Sequence, residues 1–320
     1  MESPKRLFYK VIMLRLAHLS DVHLGPLPDI EYRQLVSKRV LGYVNWQRNR
    51  SRFLHDGIID AILTDMRQHE PDHIAVTGDL VNLALDQEIE LARLWLQTLG
   101  DHLNVSVVPG NHDAYVPGAL DKVCRAWAPW MSSDAGGPVD RHAFPYLRIR
   151  DGVALIGATS ARATAPFMAN GFFRSGQAAR LGSILDATAR QGLFRVVMIH
   201  HPPVRNAVPQ HKRLFGIGVF QNVIRRHGAE LVLHGHSHLP SLHWIAGPKQ
   251  ATVPVVGVAA TGQAPGHAKP AAQYNLIEIG GSPRSWQARL TRRGLTGPAT
   301  PPVELQSLDL YAGELVRSAG

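Results

Sequence analysis

The chain alternates short apolar runs with longer segments in which apolar residues recur every three or four positions. A short run rich in β-branched residues indicates a buried strand, and the longer spacing indicates an amphipathic helix. In the first half of the chain the pattern predicts strands over 14–19, 73–77 and 104–108 and helices over 30–52, 53–69 and 86–99. Strands that alternate with helices are typical of β-α-β units in an α/β fold.

The second half of the chain continues this pattern and becomes richer in strands. A hairpin is predicted over 146–150 and 153–158, because Asp151-Gly152 is a common two-residue turn between strands. Helices over 177–190 and 214–227 and strands over 195–199, 230–233, 253–260, 273–279 and 286–291 are also predicted. We therefore expect two mixed β-sheets packed face to face with helices outside.

One main domain with two peripheral ends is the expected organisation. Residues 1–12 precede the first strand and are predicted to be an N-terminal extension, so that translation could begin at Met1 or Met13. Residues 13–294 are predicted to form the domain, and residues 295–320 a peripheral C-terminal tail with one closing strand or helix. A content of 45% hydrophobic residues can supply a sizeable core.

Composition narrows the possible chemistry and location. The only cysteine, Cys124, excludes an internal disulfide and a thiolate metal cluster, so a metal would need nitrogen and oxygen ligands. Nowhere do about 18 apolar residues follow one another, and Arg15 interrupts the first apolar run, so neither a membrane span nor a signal peptide is predicted. We expect a cytoplasmic protein.

The formal net charge of +9 favours anionic partners, which include phosphates, nucleic acid and acidic lipid. The segment 30–52 concentrates basic residues, and its apolar positions at four-residue spacing predict an amphipathic insert. With Tyr43 and Trp46 at its tip, the insert could dock on an anionic lipid surface at the inner face of a membrane. The alternative is an ordinary helix that packs on the domain by its apolar face.

Five short clusters of metal-binding residue types stand in a fixed order, each directly after a predicted strand. They are Asp21-Val22-His23, Gly78-Asp79, Gly110-Asn111-His112-Asp113, His200 and Gly235-His236-Ser237-His238. Each cluster alone is a weak signal, since Asp-x-His and Gly-Asp are common strings. Because the ends of neighbouring strands form the active-site edge of an α/β fold, clusters in these positions are expected to converge.

These clusters combine nitrogen and oxygen ligands. The candidate metal ligands are Asp21, His23, Asp79, Asn111, His200, His236 and His238. Such a set suits Mn, Fe or Zn better than Mg or Ca, which prefer oxygen ligands alone. Seven ligands are too many for one ion, so we predict two divalent ions bridged by Asp79, which can hold a phosphate and activate a shared water. His201 competes with His200 for the ligand position.

In their order, the clusters resemble the pattern of the calcineurin-like metallophosphoesterase superfamily, Asp-x-His, Gly-Asp, Gly-Asn-His-Asp/Glu, His and Gly-His-x-His. The resemblance extends over 14–279 and implies a four-layer αββα sandwich of two mixed β-sheets flanked by helices. It implies that one ion is held by Asp21, His23, Asp79 and His238 and the other by Asp79, Asn111, His200 and His236. The implied reaction is in-line attack of a metal-bridging hydroxide on phosphorus.

Two further residues of the third cluster are predicted to be catalytic. His112 belongs to neither implied ligand set and resembles the catalytic histidine of the superfamily, which donates a proton or hydrogen bond to the leaving group or phosphoryl oxygen. Asp113, next to it, would orient and electrostatically support the imidazole.

Hydrolysis of a small phosphodiester is the favoured function. The protein phosphatases of the superfamily carry Asp-Arg-Gly after Gly-Asp and a glutamate at the end of the third motif, whereas this chain has Leu80-Val81-Asn82 and Asp113. Its short loops look closer to bacterial phosphodiesterases that act on cyclic nucleotides or glycerophosphodiesters. Three alternatives stay open: a DNA-repair-type nuclease, a lipid-pathway pyrophosphohydrolase at a membrane surface, and a non-catalytic scaffold. The nuclease is less favoured, because no segment is large enough for a DNA-capping domain.

Overall fold

The strands of the protein form two six-stranded sheets and a two-stranded ribbon. A computed structural model describes residues 14–27, 38–40, 42–43, 57–266, 268–283 and 285–312. In chain order its strands are β1 (Leu14–Leu19), β2 (His73–Val76), β3 (Val105–Val107), β4 (Tyr146–Arg150), β5 (Val153–Gly157), β6 (Gly171–Phe172), β7 (Phe194–Met198), β8 (Leu214–Phe215), β9 (Leu231–His234), β10 (Ser241–Ala246), β11 (Thr252–Gly257), β12 (Gln273–Gly280), β13 (Gln287–Gly294) and β14 (Val303–Ala312).

Helices connect many of these strands. They are α1 (Ile58–Gln68), α2 (Asp86–Leu99), α3 (Ala119–Ala126), α4 (Ala128–Met131), α5 (Ser175–Arg190) and α6 (Ile217–His227), with short 3₁₀ turns at Gln210–Lys212 and Pro248–Gln250. At the start of α2 the buried Glu88 carboxylate accepts hydrogen bonds from the backbone N–H groups of Asn82 and Leu85, at 2.8 and 3.0 Å. A carboxylate at a helix N-terminus stabilises it, so Glu88 also fixes the loop that precedes α2.

The order of the strands places the ends of the parallel strands at a common edge in each sheet. The first sheet has the order β14-β13-β12-β1-β2-β3, in which β1, β2 and β3 are parallel. The second has the order β10-β11-β9-β7-β5-β4, in which β11, β9, β7 and β5 are parallel. In such sheets the carboxyl ends of parallel strands form the functional edge, and four of the five clusters directly follow β1, β2, β7 and β9.

The second sheet lies between two hydrophobic cores, and successive side chains of its strands point alternately into one core and the other. In β7, Val196 faces the core shared with the first sheet, and Val197 faces the core beneath α5 and α6. Leu231 and Val232 of β9 divide in the same way. Because successive side chains of a strand point to opposite faces, the sheet is covered on both sides. The predicted αββα sandwich of two mixed sheets flanked by helices is confirmed.

The predicted elements agree with most of the structure, and several differ, among them one helix and one edge strand. The predicted strand over 14–19 and helix over 86–99 have the observed bounds. The helix predicted over 214–227 begins only at Ile217, because Gly216 has a left-handed φ of 91° and the two residues before it form β8. Strand β10 is missing from the prediction, since it is a partly exposed edge strand without a continuous apolar run.

The predicted peripheral segments are described only in part. Val303–Ala312 forms β14, which pairs with β13 at the edge of the first sheet, and its Tyr311 packs against the main core. Of the insert 30–52, only residues 38–40 and 42–43 are described, and they are helical. The rest of the insert and the extension 1–12 lie outside the described residues, so the lipid contact stays a prediction. None of the described helices is long and apolar enough to cross a membrane.

A buried carboxylate fastens α1 to the first sheet. Asp65 accepts hydrogen bonds from Arg293 Nε at 2.8 Å, Arg293 Nη2 at 2.9 Å and the Tyr274 hydroxyl at 2.7 Å. Burial by itself raises the pKa of Asp65, but the hydrogen bonds from Arg293 and Tyr274 outweigh it and bring the pKa below its usual value. The folded state therefore favours the ionised carboxylate.

We expect Asp65→Asn to lower the free energy of unfolding by about 2 kcal/mol at pH 7. Because the pKa of Asp65 is lower in the folded than in the unfolded chain, its contribution is complete above the unfolded pKa of about 3.9 and is lost as pH falls through the folded pKa. Urea unfolding of both proteins should therefore show a stability difference that narrows below about pH 4. A difference that stays constant with pH would contradict the role of the ionised carboxylate.

Candidate metal centre

Loops from the two sheets meet at one edge and are joined by hydrogen bonds. Within the first sheet, the backbone N–H of Asp21 donates to Gly78 O at 2.9 Å. Within the second, the N–H of Gly235 donates to His200 O at 3.0 Å. Between the sheets, the N–H of His236 donates to Asp21 Oδ2 at 2.9 Å. The fold thus brings together residues that are more than 200 positions apart.

Five of the candidate ligands have a left-handed backbone conformation. The φ values are 53° at Asp21, 47° at His23, 57° at Asp79, 66° at His236 and 56° at His238. Such values cost a non-glycine residue about 1 kcal/mol or more and persist only where the surroundings impose them. Here the hydrogen bonds between the loops impose the strained backbone that aims the side chains into the centre.

Two glycines of the motifs permit a close approach of the second and third clusters. Gly78 has a φ of 95° and lies against the backbone of Gly110. A Cβ atom on Gly110 would collide with the carboxylate of Asp79. Both positions therefore require glycine for steric reasons, independently of the chemistry of the site.

Asp21, His23 and His238 form one group of potential ligands, with ligand atoms within 4.8 Å of one another. His238 Nε2 lies 3.0 Å from Asp21 Oδ1, and His23 Nε2 lies 3.9 Å from the same oxygen. His23 Nε2 is also 3.9 Å from Asp79 Oδ2. Asp79 is therefore close enough to this group to share an ion with it.

Asp79, Asn111 and His236 lie around His200. His200 Nε2 lies 3.3 Å from Asp79 Oδ2 and 3.2 Å from Asn111 Oδ1. The His236 ring centroid is 5.1 Å from that of His200. All four residues are buried. The structure thus brings the candidate ligands of both sheets together, and their division into two ligand sets stays a prediction.

Backbone carbonyl groups orient three of the imidazoles through their second ring nitrogen. The pairs are His23 Nδ1 with Val81 O at 3.1 Å, His200 Nδ1 with Thr77 O at 2.6 Å and His236 Nε2 with Lys212 O at 2.9 Å. Because a carbonyl only accepts, that ring nitrogen must carry the proton. In a neutral ring the opposite nitrogen then presents its lone pair toward the centre, as in metal-binding histidines.

The two central carboxylates carry buried negative charge, since Asp21 is 0% and Asp79 1% exposed. Burial raises the pKa of each, but neighbouring imidazoles, above all His238 for Asp21 and His200 for Asp79, hold both pKa values below their usual range. Buried charges cost several kcal/mol unless opposite charge compensates them. Together with the mixed nitrogen and oxygen donors, this need for positive charge fits two divalent transition-metal ions.

His112 lies beside the ligand groups, and its ring is held from outside them. Its Nδ1 is 2.6 Å from Asn82 O, and its ring stacks on Tyr115 with a centroid separation of 5.4 Å. A ring nitrogen of His112 lies within 4.8 Å of ligand atoms of His23 and Asp79. The structure therefore places an oriented imidazole next to the metal centre.

The structure corrects the role predicted for Asp113. Its carboxylate accepts hydrogen bonds at 2.7–3.2 Å from four backbone N–H groups, those of Asp79, Leu80, Val81 and Gly110. The Asn82 carbonyl, and not Asp113, holds Nδ1 of His112. Burial and the Asp79 charge raise the pKa of Asp113 to about 7, against the effect of these hydrogen bonds. Asp113 is a positioning residue that joins the second cluster to the third, because backbone donors surround its carboxylate.

His201, the alternative to His200, lies close enough to His200 and His236 to form a group of potential ligands with them, but both of its ring nitrogens have other partners. Its Nδ1 lies 2.8 Å from Ser160 Oγ and its Nε2 3.1 Å from Ala169 O. Burial lowers the pKa of His201 to about 3, so the ring is neutral. A neutral ring that donates to a carbonyl and accepts from a hydroxyl has no nitrogen left for a metal. The geometry therefore favours His200 as the ligand.

Three residues around His112 carry no motif signal. They are Asn82, Tyr115 and Lys38, whose Nζ lies 4.5 Å from the Tyr115 ring centroid. Lys38 Nζ also donates to Thr164 Oγ1 at 2.6 Å and to Met168 O at 2.8 Å. Burial lowers the pKa of Lys38 to about 8. These contacts join segments far apart in the chain, so no local pattern reveals them.

The chain belongs to the calcineurin-like phosphoesterase family, whose model matches residues 14–240. This match covers more than half of the chain and includes all five clusters. The family uses dinuclear metal centres, and the aspartate and histidine groups described above are able to hold metal ions. The chain is accordingly a metallophosphoesterase by family. No curated protein sequence matches it.

Solved structures share the fold at low sequence identity. A dimetal phosphatase from Danio rerio is 13% identical with a TM-score of 0.59, and the alignment covers 93% of this chain and 98% of that one. Purple acid phosphatase PPD1 from yellow lupin (Lupinus luteus) seeds is 12% identical with a TM-score of 0.50, and the alignment covers 91% and 53% of the two chains. These similarities establish a common architecture.

Separate replacement of His200 and His201 tests the assignment of the ligand. We expect His200→Ala to bind about one Mn ion per chain in place of about two, because it removes the nitrogen that faces Asp79 and Asn111. His201→Ala should retain about two ions, since both of its ring nitrogens bond elsewhere. Metal content after dialysis is the measurement, and circular dichroism checks the fold. Loss of an ion only in His201→Ala would reverse the assignment.

Proposed function

We propose that the protein is a metal-dependent phosphodiesterase of the cytoplasm that hydrolyses a small phosphodiester of the cyclic nucleotide or glycerophosphodiester type. The observation that supports this proposal is the position of His112, which has a ring nitrogen within 4.8 Å of ligand atoms of Asp79 and His23 and belongs to neither ligand set that the family resemblance implies. Asn82 and Tyr115 hold the ring in that position. An imidazole so placed is suited to proton transfer at the reacting ester.

Proton donation matters for a diester because its leaving group is an alkoxide, which departs readily only when it is protonated. The Asn82 carbonyl accepts from Nδ1 of His112, so Nε2 faces the leaving oxygen and can donate to it when the ring is the imidazolium, with a second proton on Nε2. Bound divalent ions would neutralise the phosphoryl oxygens and lower the pKa of an attacking water. The protein contributes the orientation of His112 and the positions of the ligands.

Positive charge near the centre supports an anionic substrate. Lys38 Nζ lies 4.5 Å from the Tyr115 ring centroid, and that ring stacks on His112. The Lys38 ammonium is therefore near the centre, where Thr164 and Met168 hold it. Together with the net charge of +9, it would favour approach of an ionised phosphoester.

Substrate comparison tests the diester proposal. With added Mn we expect the purified protein to hydrolyse bis(p-nitrophenyl) phosphate with a kcat/KM at least about tenfold above that for p-nitrophenyl phosphate. The two substrates share one leaving group, so their comparison reports the preference for a diester over a monoester. Preference for the monoester would contradict the diesterase assignment. Faster cleavage of a DNA duplex or of a nucleoside-diphosphate lipid would favour the nuclease or the pyrophosphohydrolase in its place.

A matched pair of variants separates proton transfer from metal binding. We expect His112→Ala to keep both ions and to lower kcat by about 10²–10⁴-fold, as is typical when a general acid is lost. Asp79→Asn should lose both ions and the activity together, because Asp79 belongs to both ligand groups. Metal analysis and turnover are measured on the same samples. An emptied centre in His112→Ala would show that His112 is a ligand and not the proton donor.

A further inference from the structure

A cavity of about 760 Å³ opens beside the segment that supports His236. Lys212 O accepts the hydrogen bond from His236 Nε2, and the flanking residues Gln210 and Arg213 line the cavity. The segment is held by the ribbon of β6 and β8, in which Gly171 N donates to Arg213 O at 3.2 Å. The cavity is thus adjacent to the metal centre through one short segment of backbone.

The described residues that line the cavity carry positive charge only. Arg205 and Arg213 are among them, and none of these described residues is acidic. Arg213 is partly buried, and its guanidinium lies over the Phe215 ring, 4.8 Å from its centroid. Aromatic packing thus orients a charged group with several N–H donors at the cavity. A guanidinium held in this way is suited to bind an anion.

The start of α6 adds backbone donors to the same cavity. Its lining includes Gly216, Ile217 and Gly218, the cap and first residues of this helix. Gly216 supplies no side-chain cap, and the first turn contains no acidic residue. The first N–H groups of a helix have no acceptor within the helix, and together with the helix dipole they favour an anion.

We propose that this cavity binds the phosphate group of a small organic phosphate. Arg213 would donate to the phosphate oxygens, and the N-terminus of α6 would complete the anion site. The volume lies within the range of small-molecule sites, about 300–1,000 Å³, and exceeds what a bare phosphate fills. The rest of the ligand would occupy the remaining space. Binding at this site does not depend on the proposed phosphodiesterase activity.

Titration calorimetry on the full chain after removal of metal with EDTA tests the site, since phosphate then has no metal to bind. Inorganic phosphate and glycerol 3-phosphate are the probes. We expect Arg213→Gln to weaken binding of both by about tenfold or more. The control is Arg174→Gln, which removes an exposed arginine over Phe172 of the neighbouring strand, outside the cavity, and should leave affinity unchanged. Equal loss in both variants, or no binding by the unmodified chain, overturns the proposal.

A second variant separates loss of the site from loss of structure. A Cβ atom on Gly218 would meet only Arg205, at 3.8 Å, so a side chain fits there. Gly218→Asp places a carboxylate where the anion would bind and should abolish phosphate binding, while the thermal midpoint stays level or rises because an acidic residue suits a helix N-terminus. Retained phosphate binding in a folded Gly218→Asp protein contradicts the assignment.

Kinetics with Mn distinguish the two sources of the phosphate group. If the phosphate group in the cavity belongs to the substrate, Arg213→Gln raises the KM for a diester that carries a second phosphate. The KM for bis(p-nitrophenyl) phosphate, which has no second phosphate, then stays unchanged. If it belongs to a separate effector, glycerol 3-phosphate changes the turnover of bis(p-nitrophenyl) phosphate in the unmodified chain and not in Arg213→Gln. Asp79→Asn, which should lack activity, is expected to keep the calorimetric affinity of the metal-free chain. Loss of affinity in Asp79→Asn would place the anion at the metal centre and overturn the separate site.

Discussion

Two buried carboxylates, those of Asp21 and Asp79, impose the constraint on which the rest of the site depends. They lie at the ends of β1 and β2, with His200, His236 and His238 of the second sheet beside them. Neither carboxylate is stable in such a position without compensating positive charge and hydrogen bonds. The convergence of imidazoles and the fit to divalent ions are both consequences of this burial.

Orientation of the imidazoles comes from the backbone and less from other side chains. Carbonyl groups of Thr77, Val81 and Lys212 bond to one nitrogen of each ring and so decide which nitrogen faces the centre. These carbonyl groups belong to loops that follow β2 or precede β8. The loop after β2 also supplies three of the N–H groups that hold the Asp113 carboxylate. Because this loop orients metal-ligand imidazoles and also holds Asp113, a change in its conformation would disturb several candidate ligands together.

Two further histidines, His18 and His234, are buried near the centre. His18 Nε2 lies 2.9 Å from Thr77 Oγ1, and His234 Nδ1 lies 3.0 Å from Gly235 O. Burial lowers the pKa of His18 to about 3 and that of His234 to about 4, so both rings are neutral. Neutral rings fill the space between the sheets without adding charge next to the carboxylates.

The sequence by itself determined the layered α/β architecture and the set of candidate ligands. Apolar runs locate the strands, and polar clusters at their ends identify residues such as Asp21 and Asp79, because both signals are local and periodic. Only the tertiary structure decided that Asp113 bonds to backbone N–H groups, that both ring nitrogens of His201 have other partners and that Asn82 and Tyr115 hold His112. These contacts form between segments that are far apart in the chain, and a local pattern of residues does not encode which groups of such segments come into contact.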